Sequence, residues 1–382
     1  MRCHSAVTIM DESKRPARRQ LLKAGLSVTA AAGIVGCEPC GGSTGPALHT
    51  QKQVRWLLAS SFPSSLDTIY GASDVLAARV AALSDGNFEI KTHQAGELVP
   101  GLQVLDAVSR GGIEVGQTAG YYYTGKNPAL AFDTCVPFGL TSRQQTAWLS
   151  EGEGGELMRK LYSDFNVVPF RSGNTGVQMG GWFRERVESM ADLKGLKMRI
   201  PGLGGKVMDQ LGVSVQVLAG GDIYPALERG AIDATEWVGP YDDEKLGFYQ
   251  VARFYHYPGW WEPGPNLSFL VNQDAWAALP ASYQAMFEAA CEDASRTMQA
   301  RYDAYNPPAL QRLLKQDIEL VRFSDELLNG AREASRQLLS DAAANDGEYA
   351  KILASWEGFK DASFQWFGLA EQSYASFVSP PG

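Results

Sequence analysis

The stretch Ala231–Asp242, AIDATEWVGPYD, ends an alternating α/β run with an acid, an indole and a turn. Just upstream, Ile223–Arg229 has helical character, Gly230 stops it, and Ala231–Thr235 reads as a short apolar strand. Glu236 and Trp237 then stand beyond the strand's carboxyl end. Ligands of open α/β sheets bind in the crevice outside those ends, which makes the pair candidate ligand contacts. A solvated loop acid beside a packing indole is the plain alternative, and the neighbouring stretches decide between the two.

Toward the N-terminus the same alternation repeats. Val54–Ser60 is a strand candidate, Ser65–Leu83 carries helical spacing, and Asn87–Thr92 is the next strand. Pro100–Arg110 adds an amphipathic helix with Leu102, Leu105 and Val108 on one face, and Ile113–Thr118 another strand. Such alternation favours a parallel sheet with helices on both faces. After that last strand come Tyr121, Tyr122 and Tyr123, whose rings supply an apolar wall and whose hydroxyls donate hydrogen bonds. Tyr122 and Tyr123 are therefore expected at a ligand crevice, with a packed aromatic corner as the other reading. Cys135–Gly139 follows as an apolar turn.

The middle of the chain holds the sharpest pattern. Val167–Arg171 is a strand, Thr175–Trp182 reads TGVQMGGW, and Lys194–Pro201 reads KGLKMRIP. Leu196, Met198 and Ile200 alternate with Lys197 and Arg199, so a short strand presents the two basic residues on one face. An arginine so placed meets a ligand carboxylate with two parallel N–H···O bonds, each charged bond being worth ~1.5–3 kcal/mol.

Composition bounds the whole. With 382 residues, 45% hydrophobic and 20% charged, the chain is ordinary globular protein and long enough for two domains. It carries 34 basic and 43 acidic residues; setting aside the six and two within residues 1–37 leaves 28 against 41, a net of −13. That balance argues against a nucleic-acid partner, which needs a basic face for phosphates. Residues 1–37 themselves read as an export signal. A twin-arginine arrangement, Arg18–Lys23, precedes a small-residue apolar run from Ala24 to Gly36 that is shorter than the ~20 residues of a spanning helix. The run ends in Ile34–Cys37, similar to a lipoprotein cleavage box, which would make Cys37 a lipid anchor; plain cleavage near Ala30–Ala32 is the competing reading. Either way the mature protein is expected outside the cytoplasm, in the periplasm. Residues 38–52 form a Gly/Ser/Pro linker. Cys135 and Cys291 have neither zinc nor redox spacing and read as free buried thiols, though a disulfide stays open in an oxidising compartment.

Downstream, Asn272–Ala290 and Asp293–Tyr305 read as helices broken at Pro307–Pro308. Leu310–Lys315, a strand at Ile318–Phe323 and an N-cap at Ser324 follow. The last helix, about Phe364 to Val378, puts Phe367, Ala370, Tyr374 and Phe377 on one stripe that must pack somewhere.

Taken in order, KGLKMRIPG, ALERGAIDATEW, Tyr255–Trp261 (YHYPGWW) and Ile318–Phe323 running into Ser324–Glu326 resemble the solute-binding subunit of the tripartite ATP-independent periplasmic (TRAP) transporters, from about Val54 to Val378. The resemblance implies an α/β, periplasmic-binding-protein-like fold, with two α/β domains joined by a hinge and long C-terminal helices. Lobe I would take about residues 53–165 and lobe II about 166–254, with residues 255–382 shared. It also implies that Arg199 grips the solute carboxylate. The TEW motif with PGWW looks like the branch that binds 2-oxo or 2-hydroxy monocarboxylates, such as pyruvate or lactate, together with a metal ion. By carry-over, Gln178, Glu236, Trp237 and Glu262 fall at metal and solute contacts. The partners implied are a small organic acid and the membrane permease subunits. In some relatives the terminal helix exchanges between subunits, so a homodimer and packing within one chain both account for the apolar stripe.

Elementary chemistry supports an ion beside this resemblance. Two buried carboxylates are costly unless paired or metal-bound. Carboxylate, amide and backbone oxygens are hard ligands suited to Ca²⁺ or Na⁺ rather than zinc. Two rival readings stay open: a receptor of the same fold for a dicarboxylate or sugar acid without a metal, and an exported metal-dependent enzyme acting on small acids. Against an enzyme, the chain has no nucleophile elbow, no Ser/His/Asp order and no HExxH.

Overall fold

Alternation in VRWLLAS buries Val54, Trp56 and Leu58 and leaves Arg55 and Leu57 outside, which makes Val54–Ser60 a half-covered strand at the centre of the first lobe. The computed structural model describes residues 52–379. The twin-arginine segment, Cys37 and most of the linker lie outside the described residues. In chain order the strands are β1 (Val54–Ser60), β2 (Phe88–His93), β3 (Val115–Thr118), β4 (Val167–Asn174), β5 (Trp182–Phe183) and β6 (Lys197–Arg199). They continue with β7 (Ser214–Gln216), β8 (Ala234–Thr235), β9 (Phe254–Tyr257), β10 (Asn266–Asn272) and β11 (Glu319–Arg322).

Two sheets result, ordered β2-β1-β3-β10-β4 and β11-β9-β5-β8-β6-β7. Both are mixed rather than parallel. In the first, β2 and β3 run parallel to β1, but β10 enters antiparallel between β3 and β4. In the second, β5 is antiparallel to both β8 and β9. These two strands arrive from the other lobe, so no local βαβ crossover fixes their direction. The expected change of lobe near residue 165 falls one strand later, because β4 zips along the whole of β10. The chain therefore crosses between sheets at 175–181 and again at 258–265.

A single helix, Ala281–Leu313, replaces the two expected. Pro307 and Pro308 lie inside it and forfeit backbone bonds. Packing overrides that loss: Tyr302, Ala309 and Leu313 are buried on either side of the prolines. Ser324 caps the following helix as expected, its hydroxyl accepting from Leu327 N. Cys135 and Cys291 are free and buried. Among the described residues no helix is long and apolar enough to cross a membrane.

The C-terminal stripe sits on the end of the helix Gly347–Phe367 and its continuation through a π-helical turn to Val378. Phe367 is half-buried under the Arg143 guanidinium, 5.1 Å from its ring centre. Tyr374 and Phe377 are 69% and 85% exposed, so this end of the stripe finds no cover among the described residues.

Within the first lobe, the short helix Ala131–Thr134 is tied to β10 by Asp133. Its carboxylate accepts from Tyr162 Oη at 2.9 Å and Ser268 Oγ at 2.7 Å. Burial pushes its pKa up to about 6, above the ordinary carboxylate value. A carboxyl whose folded pKa is raised stabilises the fold below the unfolded value, near 4, and loses that contribution as pH rises through about 6. The two-unit shift corresponds to at most roughly 3 kcal/mol. The thermal midpoint is therefore expected to fall between pH 4 and 7, and Asp133→Asn to make that fall shallower. Thermal unfolding of both proteins across this range checks it; equal slopes would remove Asp133 from the account.

Candidate functional site

The two crossover segments lie side by side and build one wall of the cleft. Gln178 N donates to Glu262 O at 3.1 Å, and Gly259 N donates to Gln178 O at 2.9 Å. Asn174 Nδ2 reaches Gly264 O at 2.9 Å and Thr175 N reaches Pro265 O at 3.3 Å. Gln178 and Glu262, 84 residues apart in sequence, are thus fixed against each other by backbone bonds. A Cβ on Gly259 would lie 2.6 Å from Gln178 O, so glycine is what allows the two segments to touch.

The opposite wall comes from the second sheet. Met198 of β6 faces the core, and the next residue, Arg199, turns its side chain into the cleft, where it is 1% exposed. β8 pairs parallel with β6 and delivers Glu236 one residue beyond its carboxyl end. Arg199 Nε donates to Leu218 O at 3.1 Å, and Nη1 donates to Glu236 O at 3.3 Å and to Glu236 Oε1. The guanidinium also lies 5.3 Å from the Trp237 ring centre, a cation–π contact. The Tyr122 hydroxyl approaches it from the first lobe.

Electrostatics follow from this burial. Burial works against the Arg199 charge, but Glu236 and the hydroxyls of Tyr122 and Tyr121 overcome it and hold its pKa above the ordinary arginine value. Burial pushes Glu236 up to about 7, with Arg199 opposing and Asp243 adding to the rise. Glu262 lies well above the ordinary carboxylate range, through burial first and then the neighbouring Glu236 charge; the Arg199 charge and hydrogen bonds from Tyr121 and Gln178 oppose the rise. Two carboxylates thus share one guanidinium in a dry site. Five side-chain atoms here are buried without a hydrogen-bond partner: Gln178 Oε1, Glu236 Oε2, Glu262 Oε2, Arg199 Nη2 and Trp237 Nε1. Buried polar groups are normally satisfied, and three orphaned oxygens beside an orphaned guanidinium N–H suit a hard cation next to an anionic solute. Among the described residues no group of three His, Cys, Asp or Glu is arranged for a metal. An ion here would have to combine the two carboxylates with neutral oxygens, a donor set that fits Ca²⁺ or Na⁺.

Of the expected contacts, Gln178, Arg199, Trp237 and Tyr122 line one small cavity, and Glu236 and Glu262 pack beside them. Tyr123 does not belong. Its hydroxyl accepts from Leu105 N at 3.1 Å and shares a 2.9 Å bond with Thr118 Oγ1, inside the first lobe. The three tyrosines lie on the 3₁₀ turn Gly120–Tyr123, where successive side chains point about 120° apart, so they cannot share one face. The sequence reading also missed Phe62, Ile69, Thr175, Val238 and Leu267, which complete the lining. Phe62 follows the carboxyl end of β1, the same signal that singled out Glu236.

The family of bacterial extracellular solute-binding proteins, family 7 (DctP), matches residues 59–346. The chain belongs to this family. A monocarboxylate 2-oxoacid-binding periplasmic protein of Nostoc is 51% identical over 362 residues, 95% of this chain and 99% of that one. Among solved structures, a TRAP transporter solute-binding protein of Bordetella bronchiseptica with copurified calcium and picolinate superposes with a TM-score of 0.85. It is 47% identical and covers 86% of this chain and 98% of its own. A Pseudoalteromonas atlantica TRAP protein with bound sodium and pyruvate has a TM-score of 0.83 at 39% identity, covering 85% and 99%. A Colwellia psychrerythraea one with calcium and pyruvate has 0.83 at 37%, covering 86% and 100%. The two-domain α/β architecture and long C-terminal helices of this DctP-family chain match those structures.

The family's cleft places one steric demand on the backbone. Gly181 has φ +81°, and a Cβ there would sit 2.3 Å from Thr235 O and 2.9 Å from Glu236 Cα. Gly181→Ala is expected to displace the β8 terminus and weaken solute binding at least tenfold while the chain still folds. Titration calorimetry with circular dichroism as the folding control checks this; unaltered affinity would show that β8 absorbs the change.

Proposed function

We propose that this protein is the extracytoplasmic receptor of a TRAP transporter, binding a small 2-oxo or 2-hydroxy monocarboxylate together with Ca²⁺ or Na⁺ and passing the solute to membrane permease subunits. The observation that carries the reading is the set of orphaned atoms, one guanidinium N–H beside three oxygens, sealed in one dry cleft. In this reading Arg199 takes the solute carboxylate with Nη2, helped by Tyr122. Gln178, Glu236, Glu262 and the backbone beside Trp237 hold the ion. When bound, the ion supplies positive charge that offsets the second carboxylate and polarises the solute's 2-oxygen. Solute and ion then depend on each other, as linkage requires. The relatives' ligands support this: pyruvate, picolinate, calcium and sodium are attributed to proteins 37–47% identical to this one. A receptor rather than an enzyme is the reading that the family supports. Export by the twin-arginine signal, lipidation at Cys37 and residence in the periplasm belong to the same proposal.

Calorimetry of the chelator-treated mature protein tests it. Pyruvate or lactate is expected to bind at micromolar affinity or tighter, about −8 kcal/mol, only with Ca²⁺ or Na⁺ present, and Arg199→Ala to abolish binding without unfolding. Since protonated carboxyls are poor ligands, affinity should weaken as pH falls below about 7, where Glu236 gains its proton. Ion-independent dicarboxylate binding would overturn the assignment of Glu236 and Glu262, and turnover of the acid would overturn the receptor role.

We also propose that the uncovered stripe around Tyr374 and Phe377 packs against a second copy of the chain. Sedimentation should then show a dimer for the mature protein and a monomer after truncation at residue 363; a monomeric full-length chain would remove this part.

A further inference from the structure

The cavity at the cleft is tight and divided by chemistry. Its room for water-sized spheres is about 10 Å³, enough for roughly one water. Tyr121 and Gln178 line it and meet Glu262, while Phe62, Ile69 and Leu267 supply apolar lining. Trp237 and Tyr122 line it as well, and both contact Arg199.

Phe62 meets the same two rings. Its ring centre is 6.4 Å from Trp237, edge to face at 77°, and 6.4 Å from Tyr122. It is 1% exposed, and its backbone is held on both sides. Phe62 N donates to Ser60 Oγ at 3.1 Å, and Phe62 O accepts from Ala95 N at 3.1 Å. The preceding Ser61 is fixed as well, by N–H donation to Gln117 O at 2.8 Å and by Oγ donation to Gly101 O at 2.6 Å. The ring therefore stands on a braced loop and yields little to a bulky neighbour. Leu267 lies within β10, where trimming would open the sheet itself, and Ile69 meets neither aromatic ring edge on. Phe62 is the lining residue placed to limit size.

We infer that Phe62 closes the end of the cleft that receives the solute's side chain and so sets the longest acid accepted. This rests on the 2-oxo acid reading above. A carboxylate on Arg199 directs the remainder of the molecule past Trp237 and Tyr122, and the braced ring of Phe62 is what it meets. Each methylene beyond the methyl group of pyruvate would have to displace that ring or part the lobes. In rigid apolar pockets one methylene changes affinity by roughly 10–200-fold.

The test is a calorimetric series of pyruvate, 2-oxobutyrate, 2-oxovalerate and 2-oxohexanoate with saturating Ca²⁺, on the mature wild type, Phe62→Ala and Phe62→Leu. The wild type is expected to lose at least tenfold in affinity between pyruvate and 2-oxohexanoate. Phe62→Ala should flatten or invert that profile, cutting the ratio of pyruvate to 2-oxohexanoate affinity at least tenfold. Phe62→Leu, which keeps an apolar side chain in place, should lie between and stands in should the alanine variant fail to show a cooperative thermal transition. A flat wild-type profile, or an equal loss for every acid in the variants, would overturn the role of Phe62. Failure of the wild type to bind any of the four acids would instead overturn the functional reading on which it rests.

Discussion

Two carboxylates and one guanidinium are buried together in the cleft, and much of the molecule is arranged around that imbalance. Arg199 is paired with Glu236, both about 1% exposed, while Glu262 presses on the same pair with a second negative charge. An unpaired buried carboxylate is strongly disfavoured, so it takes up a proton or a cation. The surrounding backbone keeps these groups from escaping to water. The strands that deliver Arg199 and Glu236, β6 and β8, are only three and two residues long, and close approach at Gly181 and Gly259 lets the crossover segments reach them. Stability is given up locally in exchange for three oxygens and one N–H aimed at a common space.

That arrangement ties the relatives' ligands to residues of this chain. Calcium and sodium differ in charge, yet both prefer oxygen donors, and both occur in homologous structures beside pyruvate or picolinate. A donor set of two acids and neutral oxygens is compatible with either. On the proposed reading, selectivity for the acid would have a separate origin, in the guanidinium and in the aromatic enclosure formed by Tyr122, Trp237 and Phe62.

Much of this was legible in the sequence because the decisive groups lie next to strong local signals. Arg199 follows a three-residue apolar alternation; Glu236 follows a helix, a glycine and a short strand. What was not legible depended on contacts far apart in the chain. The antiparallel entry of β5 and β10, and the place of Val167–Asn174 in the first sheet, come from pairing across 71 to 105 residues, which no local pattern encodes. Pro307 and Pro308 stay helical because neighbours on both sides are packed. Tyr123 was misplaced for a smaller reason, since a 3₁₀ turn rotates each side chain away from the last. Phe62 stood at a strand end too, but as a single aromatic it carried no chemical contrast.

The paired crossover segments have one more consequence. When two bodies rotate about a pair of linkers, each atom moves in proportion to its distance from them. Gln178 and Glu262 sit on two of the chain's crossings between the sheets, whereas Phe62 and Tyr122 lie out on the first lobe. A small angular opening would therefore move the oxygens of Gln178 and Glu262 less than the rings of Phe62 and Tyr122.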